Sequence, residues 1–282
     1  MEETELKALL MLLDDDDTEV ATHVEEKIRS IGTGVIPFLE KEWETTFNPI
    51  VQDKIEDIVH ELQYELLHER FLEWKDSEDQ DLLRGLWILA TYQYPDIEYD
   101  ELVAQIEQLY HEVWRHMEEG MTPDDQIRTF NQVFFGDFKF RPNSKNFHAP
   151  ANSMINAVLE SKKGNPISLC SIYMILAKKM GMPISGVNLP NLFILTYKLE
   201  NRSFYINVFN RGLIFTKEDI DNYLENLQIE KRDMFYEPCT NLDIIIRSLR
   251  NLVVSFEKLG DYYKSDEIKT ILQKLDDNYF SF

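Results

Sequence analysis

Two side chains that can act as nucleophiles, Ser168 and Cys170, lie near the start of one apolar segment. A hydroxyl or thiol can attack an acyl carbon when a general base removes its proton and a third group orients that base. His148 is the only histidine close to this segment in the sequence, and Asn191 or Asn207 could orient an imidazole. These residue types are therefore compatible with hydrolysis or acyl transfer by a cysteine or a serine.

A helix followed by short strands is predicted for the region that carries these residues. Apolar residues recur at helical spacing from Ile167 to Met180, with Pro166 suited to the first turn and Gly181 and Pro183 ending the helix. Three apolar runs, separated by turn residues, then indicate strands at Ile184–Val187, Leu192–Tyr197 and Phe204–Phe209. The sequence therefore predicts one buried helix packed on a small antiparallel sheet.

The segment GNPISLCSIYMILAKKMGMPISGVNLP, followed by NLFIL and YINVFNRG, resembles the core of the transglutaminase-like superfamily, specifically its SirB-type bacterial branch. That superfamily places a cysteine at the N-terminus of a buried helix, a histidine on the next strand and an aspartate on the strand after. The helix terminus and the histidine lower the pKa of the thiol, and the acid orients the imidazole. The resemblance implies an α+β fold that is mostly helical, with a papain- or transglutaminase-like core.

The positions of that triad are occupied by other residues here. Aligned on the turn at Gly181–Pro183, the cysteine position falls near Pro166, and a shift of one or two residues reaches Ser168. The histidine position corresponds to Leu192 and the acid position to Asn207. Leucine transfers no proton, and asparagine does not stabilise an imidazolium as a carboxylate does. The resemblance thus implies a degenerate triad without cofactor or metal, whose remnant site would comprise Pro166, Ser168, Cys170, Asn191, Leu192, Asn207 and His148.

Helical segments are predicted on both sides of the core. Residues 1–75 resemble a HEAT-like helical cap, residues 76–235 hold the transglutaminase-like core, and residues 236–282 resemble a tetratricopeptide-like helical hairpin. One or two such units do not form a solenoid, because stacking needs about three repeats. Asn152 or Ser153 is expected to cap a short helix that leads into the core.

The amino-acid composition indicates which kinds of partner and which cell compartment to expect. The chain has 51 acidic and 29 basic residues, a net charge of −22, which repels nucleic acid. Its two cysteines form no CxxC pair, its N-terminus is acidic, and no apolar run reaches the ~20 residues of a membrane span. We therefore expect a cytoplasmic protein without nucleic-acid or membrane partners, which meets a protein partner through its helical caps. The oligomeric state is left open.

Two functions remain in view. One is a non-catalytic transglutaminase-like protein that acts as a binding or scaffold module, either transiently or as a subunit of a larger assembly. The other is a cysteine or serine hydrolase or acyl-transfer enzyme with a rearranged site, using Cys170 or Ser168 with His148 as base. Leu192 favours the non-catalytic function. With leucine at the histidine position, a nucleophile would need a general base from a different strand, helix or loop.

Overall fold

A computed structural model of the 282-residue chain describes residues 3–200 and 202–276. By its internal contacts the chain divides into two compact units, Met1–Arg70 and Phe71–Phe282. The predicted boundaries at 75/76 and 235/236 stay predictions.

The N-terminal unit is helical, as its apolar periodicity predicts. It contains a 3₁₀ turn at Thr33–Val35 and the helices α1 (Glu3–Leu10), α2 (Thr18–Arg29), α3 (Ile36–Thr45) and the first part of α4 (Pro49–Asp76). Helix α2 begins at Asp17, whose carboxylate accepts a hydrogen bond from the backbone N–H of Glu19. The apolar faces meet in a core that includes Leu13, Val24, Ile28, Leu39, Ile55, Ile58 and Leu62. The resemblance to HEAT units stays a prediction.

The second unit places several short helices before its core. They are α5 (Leu82–Thr91), α6 (Tyr99–Trp114), α7 (Pro123–Asn131), a π-helical turn (Gln132–Asp137) and α8 (Ile155–Ser161). The Asp81 carboxylate and the Thr122 hydroxyl cap α5 and α7. The expected cap of α8 is wrong: Asn152 and Ser153 lie in a 3₁₀ turn, and Met154 precedes the helix without a side-chain cap. Their side chains are instead used in the polar contacts described below.

The core of this unit is α9 (Pro166–Lys179) packed on an antiparallel sheet. The sheet order is β3-β4-β5-β6, with strands at Ile184–Leu189, Leu192–Leu199, Arg202–Asn207 and Leu213–Phe215. Its register pairs Val187 with Ile194 and Leu195 with Ile206. A short parallel ladder, β1 (Arg141–Pro142) with β2 (Lys163–Gly164), lies before α9. The predicted α+β fold, with one buried helix on a small antiparallel sheet, is confirmed.

Helix α9 is buried almost all round, which is why its apolar pattern is broad. Tyr173 and Leu176 expose none of their surface. The Tyr173 ring lies 4.1 Å from Phe130 and 5.2 Å from Phe134, measured between ring centroids. Fully burying one such side chain contributes about 1.5–3 kcal/mol. The helix is therefore fixed mainly by packing.

Three helices follow the sheet. They are α10 (Lys217–Asn226), α11 (Asn241–Leu259) and α12 (Tyr262–Leu275). Thr216 with Asp219, and Thr240 with Asp243, form capping boxes at the starts of α10 and α11. The resemblance of α11 and α12 to a tetratricopeptide unit stays a prediction. None of the helices in the described part of the chain is both long and apolar enough to cross a membrane.

One glycine joins the sheet to α7 and α9. Gly212, with φ of +75°, leaves so little room that an added Cβ would lie 2.3 Å from the amide of Asn131. That amide donates from Nδ2 to the Gly212 carbonyl oxygen (3.2 Å), while its Oδ1 accepts from the Tyr173 hydroxyl (3.1 Å). A side chain at position 212 would therefore displace a group that holds two hydrogen bonds.

We predict that Gly212→Ala destabilises the protein by about 3 kcal/mol, because left-handed backbone costs about 1–2 kcal/mol and lost hydrogen bonds about 1 kcal/mol each. Gly181→Ala is the matched control: Gly181 also has positive φ, +70°, but no atom lies within 4 Å of its added Cβ. The control should be destabilised only by the cost of the left-handed backbone conformation. Urea unfolding measures both, and equal losses would contradict the role given to Asn131.

Candidate functional site

The first turn of α9 is held by a reciprocal cap. Asn165 precedes Pro166, and its Oδ1 accepts from the backbone N–H of Ser168 at 2.9 Å. The Ser168 Oγ in turn accepts from the backbone N–H of Asn165 at 3.1 Å. This capping box satisfies two backbone donors that a buried helix start would otherwise leave unpaired.

The same contacts occupy the hydroxyl of Ser168. Its Oγ lies 3.2 Å from the Asn165 carbonyl oxygen, to which it donates. Gly164 lies directly against it, since a Cβ added there would come within 2.4 Å of the Ser168 Oγ. The side chain is 5% exposed. Ser168 is therefore a helix-capping residue with its donor and acceptor capacity used locally.

A network of amides anchors the loop before α8 beneath this helix start. Asn165 donates from Nδ2 to the Ser153 hydroxyl at 2.9 Å, within the buried interior. Asn152 accepts from the Asn143 amide at 2.8 Å and donates to the carbonyl oxygens of Asn146 and Phe147. This network is not evident from the amino-acid sequence. Its only local signal is the recurrence of asparagine in an irregular segment.

Cys170 lies two residues beyond Ser168 on the same helix and is fully buried. Its sulfur is 3.5 Å from the carbonyl oxygen of Phe193, to which the thiol donates. Burial raises the pKa of this thiol well above its usual range, and the backbone N–H of Val208 opposes that effect only in part. The thiol therefore stays protonated at neutral pH, when a nucleophile would need to be a thiolate.

Main-chain atoms of the residues that follow Leu192 and Asn207 contact the Cys170 thiol, whereas the side chains of Leu192 and Asn207 make contacts elsewhere. Phe193 and Val208, which contact the thiol, directly follow Leu192 and Asn207 in sequence. Leu192 opens β4 and packs against a cluster formed with α10, whose buried members are Val187, Leu189, Ile194, Tyr205, Ile220, Leu224 and Phe235. Because successive strand residues face opposite sides, Leu192 shares the side of Ile194, and the Cys170 thiol meets the main chain of the following residue, Phe193.

Asn207 and Asn191 both shape turns. The Asn207 Oδ1 accepts from the backbone N–H of Asn210 at 3.0 Å, and its carbonyl oxygen accepts from Gly212 N–H at 2.9 Å. Asn191 is exposed and has φ of +57° in the connection between β3 and β4. An asparagine tolerates that left-handed conformation better than most residues. Neither side chain orients an imidazole.

His148 lies on the surface of the loop before α8. Its ring packs 5.2 Å from that of Phe147, which lies 6.2 Å from Phe209 in the 3₁₀ turn after β5. Within residues 3–200 and 202–276, no hydrogen bond joins His148 to Ser168 or Cys170. The structure thus brings His148 near the end of β5 without placing it as their base. In the same described ranges, no group of three or more His, Cys, Asp or Glu side chains forms a metal site.

A half-buried arginine that sequence reasoning missed supports the β3–β4 connection. Arg247 on α11 donates from one guanidinium nitrogen to the Leu189 carbonyl oxygen at 2.7 Å and to the Asn188 side chain. Its guanidinium lies 5.7 Å from the Phe193 ring centroid, and burial lowers its pKa. Arg247 therefore fixes the end of β3, from which the chain turns into β4, where the carbonyl oxygen of Phe193 contacts Cys170.

Comparison with known proteins identifies the superfamily to which the chain belongs. A sequence profile described as the transglutaminase-like superfamily matches residues 100–250, more than half of the chain, and the chain belongs to that superfamily. A UPF0162 protein of Xylella fastidiosa (strain Temecula1) is 29% identical over 187 residues, which cover 63% of this chain and 65% of that protein. The match therefore covers less than two thirds of that relative's length.

Two further relatives align over shorter stretches. A UPF0162 protein of Vibrio cholerae is 23% identical over 141 residues, 50% of this chain and 52% of that protein. The human protein named F-box only protein 21 is 31% identical over 71 residues, 25% of this chain and 11% of its own length. No solved structure matches.

We predict that Cys170 reacts slowly with iodoacetamide in the folded state. The Cys239→Ser variant leaves Cys170 as the single thiol, and its raised pKa and burial should make labelling at pH 8 at least about a hundredfold slower than in the urea-unfolded chain. The converse variant, Cys170→Ser, reports on the less deeply buried Cys239, whose pKa burial raises to about 12. Labelling of folded Cys170 faster than a free thiol would contradict the assignment.

Proposed function

We propose that this transglutaminase-like protein acts by binding, as a scaffold or interaction module, and not by covalent catalysis. The observation that carries the proposal is the state of the thiol on its central helix. Cys170 is fully buried with a raised pKa, and its hydrogen-bond acceptor is a backbone carbonyl oxygen. A cysteine nucleophile of this superfamily needs the reverse: a lowered pKa and an imidazole within about 3 Å.

The neighbouring positions support the same proposal. Leucine at position 192 offers no proton-transfer group, and its side chain belongs to the apolar cluster with α10. Asparagine at position 207 caps the turn that follows β5. The hydroxyl of Ser168 is committed to the helix cap. In this proposal the remnant triad positions have become structural residues.

The surfaces available for a partner lie on the helical regions. In the N-terminal unit Phe47 is 99% exposed and Met11 77% exposed. In the second unit Leu259, Tyr262 and Tyr263, at the connection between α11 and α12, are each more than 60% exposed. We propose a protein partner for these apolar side chains, since exposed apolar groups often mark interaction sites. The net charge of −22 argues against nucleic acid.

The proposed compartment is the cytoplasm. Cys170 and Cys239 are both unpaired, and neither is fully exposed. Free thiols are typical of a reducing compartment, where disulfides are rare.

The test is a turnover assay of the wild-type chain on p-nitrophenyl esters, peptide amides and glutamine amides with amine acceptors. We expect no turnover above the protein-free rate, and the same result for Cys170→Ala and Ser168→Ala. Wild-type turnover that disappears in either variant would overturn the proposal and favour a hydrolase or acyl-transfer enzyme with a rearranged site. Circular dichroism of both variants separates loss of activity from loss of fold.

We further predict that Leu192→His creates no activity. The new imidazole would enter the apolar cluster with α10 and lose burial, so the variant should be destabilised by about 1–3 kcal/mol. The matched control is Leu199→His in the same strand, where the leucine is 44% exposed and little should change. Esterase activity in Leu192→His but not in Leu199→His would show that position 192 faces a usable nucleophile.

A further inference from the structure

A cavity of about 840 Å³ opens at the C-terminal end of α9, within the second unit. Its walls come from the start of α5, one side of α6, the last turns of α9 and the first residues of β3. Ser168 lies at the other end of the same helix, about 15 Å away at a rise of ~1.5 Å per residue. The Lys178 end of the cavity is thus distant from Ser168, while Met174 in its lining lies about one turn after Cys170.

Apolar side chains form the larger part of the lining of this cavity, together with charged and polar groups. Its lining includes the largely buried side chains of Leu82, Leu83, Ile106, Met174, Met182 and Ile184. Cavities of roughly 300–1,000 Å³ with mainly apolar walls and a few polar groups are typical of small-molecule sites. Two methionines in the lining add adaptable surface, because their unbranched thioether chains adjust to irregular ligands. The walls therefore fit the apolar body of a ligand.

The charged groups of the lining differ in whether they are already paired. Lys179 pairs with Glu107 at 2.6 Å, and Lys198 pairs with Glu237 at 2.8 Å. Lys178 is exposed at this cavity, and no carboxylate in the described part of the chain lies within salt-bridge distance of it.

The acid at the α5 side of the cavity is already engaged. The Asp81 Oδ1 accepts from the backbone N–H of Arg84 at 2.8 Å and from the Tyr99 hydroxyl at 3.4 Å. Burial, together with Asp81, raises the pKa of Tyr99 to about 12, so the phenol remains a neutral donor. Asp81 thus serves as a helix cap, and Glu107 is neutralised by Lys179.

We propose that this cavity binds an amphipathic organic anion, with its apolar body against the buried leucine, isoleucine and methionine side chains and its single anionic group paired with Lys178. Because Lys178 has no carboxylate partner in the described part of the chain, its charge favours an anion over a cation or a neutral molecule of the same shape. This inference does not depend on whether the opposite end of α9 is catalytic.

The experiment measures binding of three ten-carbon probes to the full chain by calorimetry: decanoate, decanol and decyltrimethylammonium. Decanoate should bind about tenfold more tightly than decyltrimethylammonium and about threefold more tightly than decanol, as expected for one partly exposed ion pair. Equal affinities for the three, tighter binding of the cation, or no saturable binding of decanoate would each overturn the proposal.

Two variants test the assigned residues. Lys178→Glu should weaken decanoate binding about tenfold and leave decanol unchanged. Its control is Lys258→Glu, which changes an exposed lysine in the last turn of α11, so the helix-dipole effect is matched. Equal affinities of these two variants for decanoate would remove Lys178 from the site.

The cavity itself is tested by filling it. Val103 on α6 lines the cavity, and Val103→Trp should reduce the affinity for decanoate at least about tenfold by occupying the space of the apolar body. Val254→Trp, on the exposed side of α11, is the matched control and should bind as wild type does. Unchanged binding by folded Val103→Trp would place the ligand elsewhere. If Val103→Trp does not fold, the comparison of Lys178→Glu with Lys258→Glu tests the site instead.

Discussion

The burial of α9 is the constraint on which the rest of the second unit depends. Every side chain from Ile167 to Tyr173 is buried, so each polar group in that run must find a partner inside the protein. Ser168 does so through the helix cap, Ser171 through the carbonyl oxygen of Ile167, and Tyr173 through Asn131. The same burial keeps the Cys170 thiol protonated, because a thiolate without water or a cation there would be too costly.

The two ends of this helix have different environments. At its start, the ladder of β1 and β2 and the amides of Asn152 and Asn165 fill the space with hydrogen-bonded groups. At its end, residues of α5, α6, α9 and β3 line a cavity of about 840 Å³. Because packed interiors rarely leave such volumes empty, the open end is the more suitable place for a small ligand.

The contacts that the sheet makes with Cys170 come from the main chain, so they do not depend on which side chains occupy those strand positions. The main chain of β4 and the turn after β5 approach Cys170 through Phe193 and Val208, as the fold requires. Which side chain faces the helix follows from the two-residue alternation of a strand. Arg247 holds the β3–β4 connection in place.

The sequence by itself determined the fold class, the buried helix and the first three strands of the sheet, because apolar period and turn residues are local signals. The sequence pattern extended the third strand too far, to Phe209, where the structure has a 3₁₀ turn at Val208–Asn210. It assigned the wrong role to Asn152, whose partners are fixed by a loop that folds back on it. Only the tertiary structure shows that Arg247 holds the connection between β3 and β4 and that a cavity lies beside Lys178. Both depend on elements distant in sequence, and no local pattern encodes how such elements meet.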